Sequence, residues 1–131
     1  VDEVIKDTGF KVVNLLDENV YEHYVTGVDE FIWAIEHAKL IYTDSFHGTV
    51  FSIIFRRPFV VCDRVGNSIE TKMTSRIDSL LQLFGLEARR GTIENNYSIE
   101  ESLTMNYPDL EPVFTRERQR SFDYLASVLS K

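Results

Sequence analysis

"KLIYTDSFHGTVFSIIFRRPFVVC", residues 39–62, is the stretch whose reading decides the fold. Two strongly apolar runs flank a polar knot of Thr43, Asp44, Ser45, His47, Gly48 and Thr49. "KLIYTD" (39–44) reads as a buried strand, and "TVFSIIF" (49–55) as a short apolar helix that Pro58 ends. "FVVC" (59–62) reads as the next strand. The knot then falls between the carboxyl end of a strand and the start of a helix. That is where open parallel sheets place their ligands.

Working outward, Val28, Phe31, Ile32, Ile35 and Ala38 form one stripe of a helix over 28–38, with Thr26 and Asp29 as a cap-like pair. "FKVVNLL" (10–16) reads as a buried strand, preceded by a helical pattern at Val1, Val4 and Ile5 that Gly9 closes. Beyond the knot, a polar loop covers 63–73. Ser75 and Asp78 open a helix over 76–84, with Ile77, Leu80, Leu81 and Phe84 inward and Gly85 as its stop. Residues 86–113 are poorly patterned, so 91–131 amount to a connection and a last helix. That helix covers about 116–130, with Phe122, Leu125, Ala126 and Leu129 on one face. Alternating strands and helices predict an α/β domain, a three-layer parallel sheet with flanking helices. With only three strands in view and a start inside a helix, residues 1–131 are expected to be one domain and a fragment of a longer polypeptide.

The 131 residues suffice for one core, and 44% hydrophobic content with 27% charged residues suits a globular protein. No run approaches a bilayer span, no secretory leader opens the chain, and the single Cys62 excludes an internal disulfide. A cytosolic protein is the simplest reading. The net charge of −7 argues against nucleic acid as a partner. Charge is unevenly spread: residues 46–90 carry 7 basic and 4 acidic side chains, whereas residues 1–45 carry 3 and 10. An electropositive middle in an acidic chain suits a small anion.

A helix start presents unsatisfied N–H groups and a positive dipole end, which together attract phosphate or carboxylate. Ser45 can cap the helix or touch the anion, Gly48 permits close approach, and His47 can donate a hydrogen bond or a proton. The alternative keeps Asp44 and Ser45 as caps and His47 as a structural histidine. Spacing does not separate the two. Cys62 reads as a small buried hydrophobe. The three scattered histidines and one cysteine make no metal set. Trp33 can face core, partner domain or sugar.

"AKLIYTDSFHGTVFSIIFRRPFVV" resembles the central signature of the polysaccharide pyruvyl transferase family, a strand running into Ser-x-His-Gly and an apolar helix. "KMTSRIDSLLQLFGLEAR" resembles the segment that follows it there, usually Met-Asn-Ser-Arg-Ile with a Leu-rich helix. The likeness covers roughly residues 28–90, with a weaker match at "DTGFKVV" (7–13) before it. It implies the carboxyl-terminal, Rossmann-like donor half of a two-domain GT-B-type enzyme, whose amino-terminal domain would be its partner. Such enzymes transfer the pyruvyl group of phosphoenolpyruvate to two hydroxyls of a saccharide or lipid-linked saccharide, giving a ketal at the inner face of a bacterial membrane. No cofactor is implied. The family places a histidine of this motif against phosphoenolpyruvate, which carries over to His47. Some members have Arg where Ser45 stands.

A donor such as phosphoenolpyruvate needs convergent hydrogen-bond donors and cations, which Ser45, His47, the Gly48 and Thr49 amides and Arg76 from the next motif could supply, with Arg64 a further candidate by position. Arg76 would sit near the start of its own helix, the less favourable end for a cation, unless it reaches for an anion. Its alternative is a surface ion pair with Asp78 or Glu70. Two rival functions stay open: a nucleotide-sugar glycosyltransferase donor domain, and a non-catalytic binding module.

Overall fold

Ser45 leaves the helical region, with φ −96° and ψ 135°, and its Oγ accepts a hydrogen bond from the Gly48 N–H at 3.4 Å. This cap sets the helix start three residues earlier than the apolar pattern alone predicts. The computed structural model describes residues 9–15, 19–21, 26–62, 71–91 and 98–130. Its elements run α1 (Val28–His37), β1 (Ile41–Thr43), α2 (Phe46–Ile54), β2 (Phe59–Val61) and α3 (Thr71–Phe84). A 3-10 turn (Glu87–Arg89), α4 (Ile99–Leu103) and α5 (Glu111–Leu129) follow.

The expected three-layer Rossmann-like sheet is not formed. Among the described residues helix predominates, and the only sheet has two strands, β1 and β2, paired in parallel with Ile41 opposite Phe59 and Thr43 opposite Val61. Arg90 adds a single parallel bridge to Val61 on the other edge of β2. The difference shows at the described part of the predicted strand, residues 10–15. A continuous apolar run becomes a strand only where neighbouring backbone accepts its hydrogen bonds. Residues 10–14 take no strand conformation, and Phe10 and Val13 stay 38% and 48% exposed. The predicted helix near Val1 lies outside the described residues.

Eight buried residues build the core: Ile53 from α2, Phe59 and Val61 from β2, Ile77, Leu81 and Phe84 from α3, with Leu86 and Leu110. The predicted stripe of α3 is therefore the one that packs. Gly85, at φ 66°, ends α3: its N–H bonds the Gln82 carbonyl and the Leu86 N–H bonds the Leu81 carbonyl. The inner face of α2 is small and polar. Gly48, Thr49 and Ser52 are buried, and both hydroxyls donate back to carbonyls one turn earlier, Thr49 to Ser45 at 2.9 Å and Ser52 to Gly48 at 2.7 Å. No buried hydroxyl there is left unmade, so small residues let the helix lie close on the strand.

Several expectations fail locally. Thr26 does not cap α1; Gly27 occupies the cap position and no side chain bonds there. Cys62 is exposed, because the buried run of β2 ends at Val61. The supposed connection over 86–113 holds α4, whose capping box joins Ser98 and Glu101. On α5 the predicted stripe exists but is not buried: every residue from 118 to 130 is exposed, Phe122, Leu125 and Leu129 included.

Candidate functional site

The two parallel strands end side by side, with the Cys62 N–H donating to the Thr43 carbonyl at 2.9 Å. From that edge the chain passes through Asp44 and Ser45 directly into α2. Thr43 holds this turn: its Oγ1 accepts the Ser45 N–H at 3.1 Å. It also explains Gly48, since a Cβ at that position would collide with the Thr43 side chain. The glycine thus serves the packing of helix on strand.

The predicted residues divide into two groups. Gly48 and Thr49 are buried, and their amides are engaged, Gly48 with the Ser45 hydroxyl and Thr49 with the Ser45 carbonyl. Phe46 and His47 carry the outermost amides of the first turn, where no intrahelical acceptor exists. The His47 side chain is exposed, and the first turn of α2 contains no acidic residue. The positive end of the helix is therefore not neutralised by a carboxylate in that turn.

Arg76 reaches this helix start from α3. Its guanidinium carbon lies 4.5 Å from the centre of the Phe46 ring, within cation–π range. The other face of the argument for Arg76, a surface pair with Asp78, is not what the structure holds: Asp78 pairs with Arg90 at 2.9 Å. Glu70 and Arg64 lie outside the described residues. Phe46 also meets His47 edge-on, with ring centres 5.9 Å apart. Beside them an open groove of about 350 Å³ is lined by Phe46, Ser75, Arg76, Ser79, Leu80 and Leu83.

Two segments thirty residues apart in sequence thus converge on one helix start. Residues 2–64 match the family model for polysaccharide pyruvyl transferase. The matched span is just under half of the chain; it contains Ser45, His47, Gly48 and Thr49 and stops short of Arg76. No curated protein and no solved structure matches the chain.

Sequence reasoning passed over Phe46, the variable second residue of Ser-x-His-Gly, whose ring touches both His47 and Arg76. An aromatic residue in the first turn of a helix, beside a candidate ligand-binding histidine, was the available signal. Trp33 is 62% exposed on α1 and stacks on His37, whose Nδ1 lies 2.8 Å from the Trp33 carbonyl oxygen. His23 lies outside the described residues. Among those described, no cluster of His, Cys, Asp or Glu could hold a metal, and no helix is long and apolar enough to cross a membrane.

Proposed function

We propose that the start of α2 binds phosphoenolpyruvate as the donor of a pyruvyl transfer to saccharide hydroxyls. The observation that carries this reading is the contact of Arg76 with the ring of Phe46, the neighbour of His47, at a helix start without a first-turn carboxylate. A cation placed near the positive end of a neighbouring helix is unfavourable by itself and becomes favourable when an anion lies between them. Phosphoenolpyruvate, with a phosphate and a carboxylate, brings roughly three negative charges near neutral pH. The family match over residues 2–64 supports the same class of reaction.

Within this reading Ser45 and the buried pair Gly48 and Thr49 fix the helix start, while the amides of Phe46 and His47, the His47 ring and Arg76 face the donor. Ketal formation protonates the methylene carbon as one sugar hydroxyl adds to C2 and gives up its proton, so that the C=C double bond becomes a single bond. The second hydroxyl then displaces phosphate and loses its own proton. His47 supplies the proton to the methylene carbon or to the leaving phosphate, a role worth about 10²–10⁴-fold.

Calorimetric titration tests the reading with phosphoenolpyruvate, inorganic phosphate and a nucleotide sugar, on the wild type and on His47→Ala. Saturable phosphoenolpyruvate binding, lost in the variant and unmatched by phosphate, is expected. Preference for the nucleotide sugar would replace the donor with a glycosyl one. In a phosphate-release assay with acceptor, His47→Asn is expected to lose turnover by at least about a hundredfold; near-normal turnover would remove the acid role.

A further inference from the structure

The remaining question at this site is what holds Arg76 in place, since an arginine side chain gives up much rotamer entropy on being fixed. Arg76 is exposed, and its guanidinium lies over an aromatic face. That face belongs to Phe46, which is itself half-buried, packed against the core cluster, and therefore fixed relative to α2. One edge of the same residue meets the His47 ring at 86°. The Phe46 ring thus contacts both side chains that the donor reading needs, and its backbone N–H belongs to the first turn.

We infer that Phe46 is a positioning residue: its ring seats the Arg76 guanidinium against the start of α2, so that Arg76 and His47 meet a phosphorylated donor from fixed directions. The inference rests on the donor reading given above and adds to it the element that assembles the cation. An ion pair with a carboxylate would hold Arg76 too, but would neutralise it. An aromatic face holds the guanidinium while leaving its charge and its N–H donors for a ligand. Leucine at position 46 would fill similar space and keep the core contact, yet offer no quadrupole to the cation.

The test is a double-mutant cycle on phosphoenolpyruvate binding, using Phe46→Leu, Arg76→Ala and the pair, with Phe46→Tyr as the conservative variant and thermal unfolding as the check on folding. At exposed sites a cation–π contact corresponds to roughly a two- to fivefold effect. Phe46→Leu is therefore expected to weaken binding by that factor in the wild type and to have no effect once Arg76 is alanine. Phe46→Tyr should bind as the wild type does. An equal loss from Phe46→Leu with and without Arg76 would overturn the positioning role while leaving the donor site intact. If the wild type takes up no phosphoenolpyruvate, the donor reading fails, and the positioning role fails with it. A purely structural role for Phe46 would lower the melting temperature without producing this dependence on Arg76.

Discussion

The two ends of α2 are built on opposite principles, and each has an arginine. At the carboxyl end the backbone is tied off, although the buried Arg57 Nε has no hydrogen-bond partner among the described residues. The Arg57 N–H bonds the Ser52 carbonyl at 2.9 Å and the Arg56 N–H bonds the Ile53 carbonyl at 3.2 Å. The Arg56 guanidinium donates to Ile53 and Ile54, and the Tyr107 hydroxyl donates to the carbonyls of Ser52 and Arg57. A cation here complements the negative end of the helix. At the amino end, Ser45 caps the helix and Thr43 holds the turn, His47 stays exposed, and Arg76 rests where the dipole does not favour it. One end pairs its backbone carbonyls with side chains, while the other presents an exposed histidine and an exposed arginine.

Gly48→Ala should break this contrast most strongly, because it acts on the open end through packing. The added Cβ meets the Thr43 side chain, a β-branched residue with little freedom at χ1 whose Oγ1 already holds the Ser45 amide. Helix and strand must separate, which costs about 1–3 kcal/mol. Urea denaturation is expected to show that loss, and calorimetry to show weakened phosphoenolpyruvate binding with it. Thr43→Ala in the same chain should recover part of the stability. An unchanged midpoint for Gly48→Ala would mean that α2 does not lie on Thr43 as described.

Much of the centre was legible from residues 39–62, because strand, cap, helix and strand follow one another there with clear punctuation at Ser45 and Pro58. The stripe of α3 was legible for the same reason. What was not legible is pairing and cover. The apolar run at 10–16 has the composition of a buried strand, but composition does not say whether an edge is available to it. Likewise the face of Phe122, Leu125 and Leu129 gives α5 its helical period without naming anything to bury it. Ser98 and Glu101 could have revealed α4, since a serine three residues before glutamate is a capping box. The meeting of Arg76 with Phe46 depends on how α3 lies against α2, which no local pattern encodes.

Tyr107→Phe sharpens the comparison from the closed end. Burial pushes the phenol well above its ordinary value of 10.0, against the smaller opposing pull of Arg89 and Arg56. The folded state therefore keeps its proton where the unfolded chain has lost it. The stability this provides is fully present below about pH 10 and is lost as pH rises beyond it. Removing the hydroxyl leaves the Arg57 carbonyl without its 2.6 Å donor, so Tyr107→Phe should cost about 1–2 kcal/mol at pH 7. Its unfolding free energy should also fall less steeply than that of the wild type above pH 10, while phosphoenolpyruvate binding at neutral pH stays unchanged. Equal alkaline slopes would show that Tyr107 is not the group responsible.

The smallest effect, and the finest test, concerns how a helix is stopped. Gly85 and Arg56 occupy equivalent places after α3 and α2, with φ 66° and 53°, and both ends carry the same pair of backbone bonds. Glycine takes this conformation freely, whereas any other residue gives up about 1 kcal/mol. Arg56 offsets that strain through its side chain, which bonds two carbonyls, lies 5.0 Å from the Phe114 ring centre, and pairs with Glu111 at 3.0 Å. The ion pair is largely exposed and contributes little, so the carbonyl bonds and the ring contact are what offset it. Arg56→Ala keeps the strain and loses the offset; Arg56→Gly loses both. The denaturation midpoints should then fall in the order wild type, Arg56→Gly, Arg56→Ala, with about 0.5–1 kcal/mol between the two variants. Should Arg56→Gly exceed the wild type, the side chain would contribute less than the strain it accompanies. The closed end of α2 would then owe its stability to the backbone bonds and Tyr107 alone.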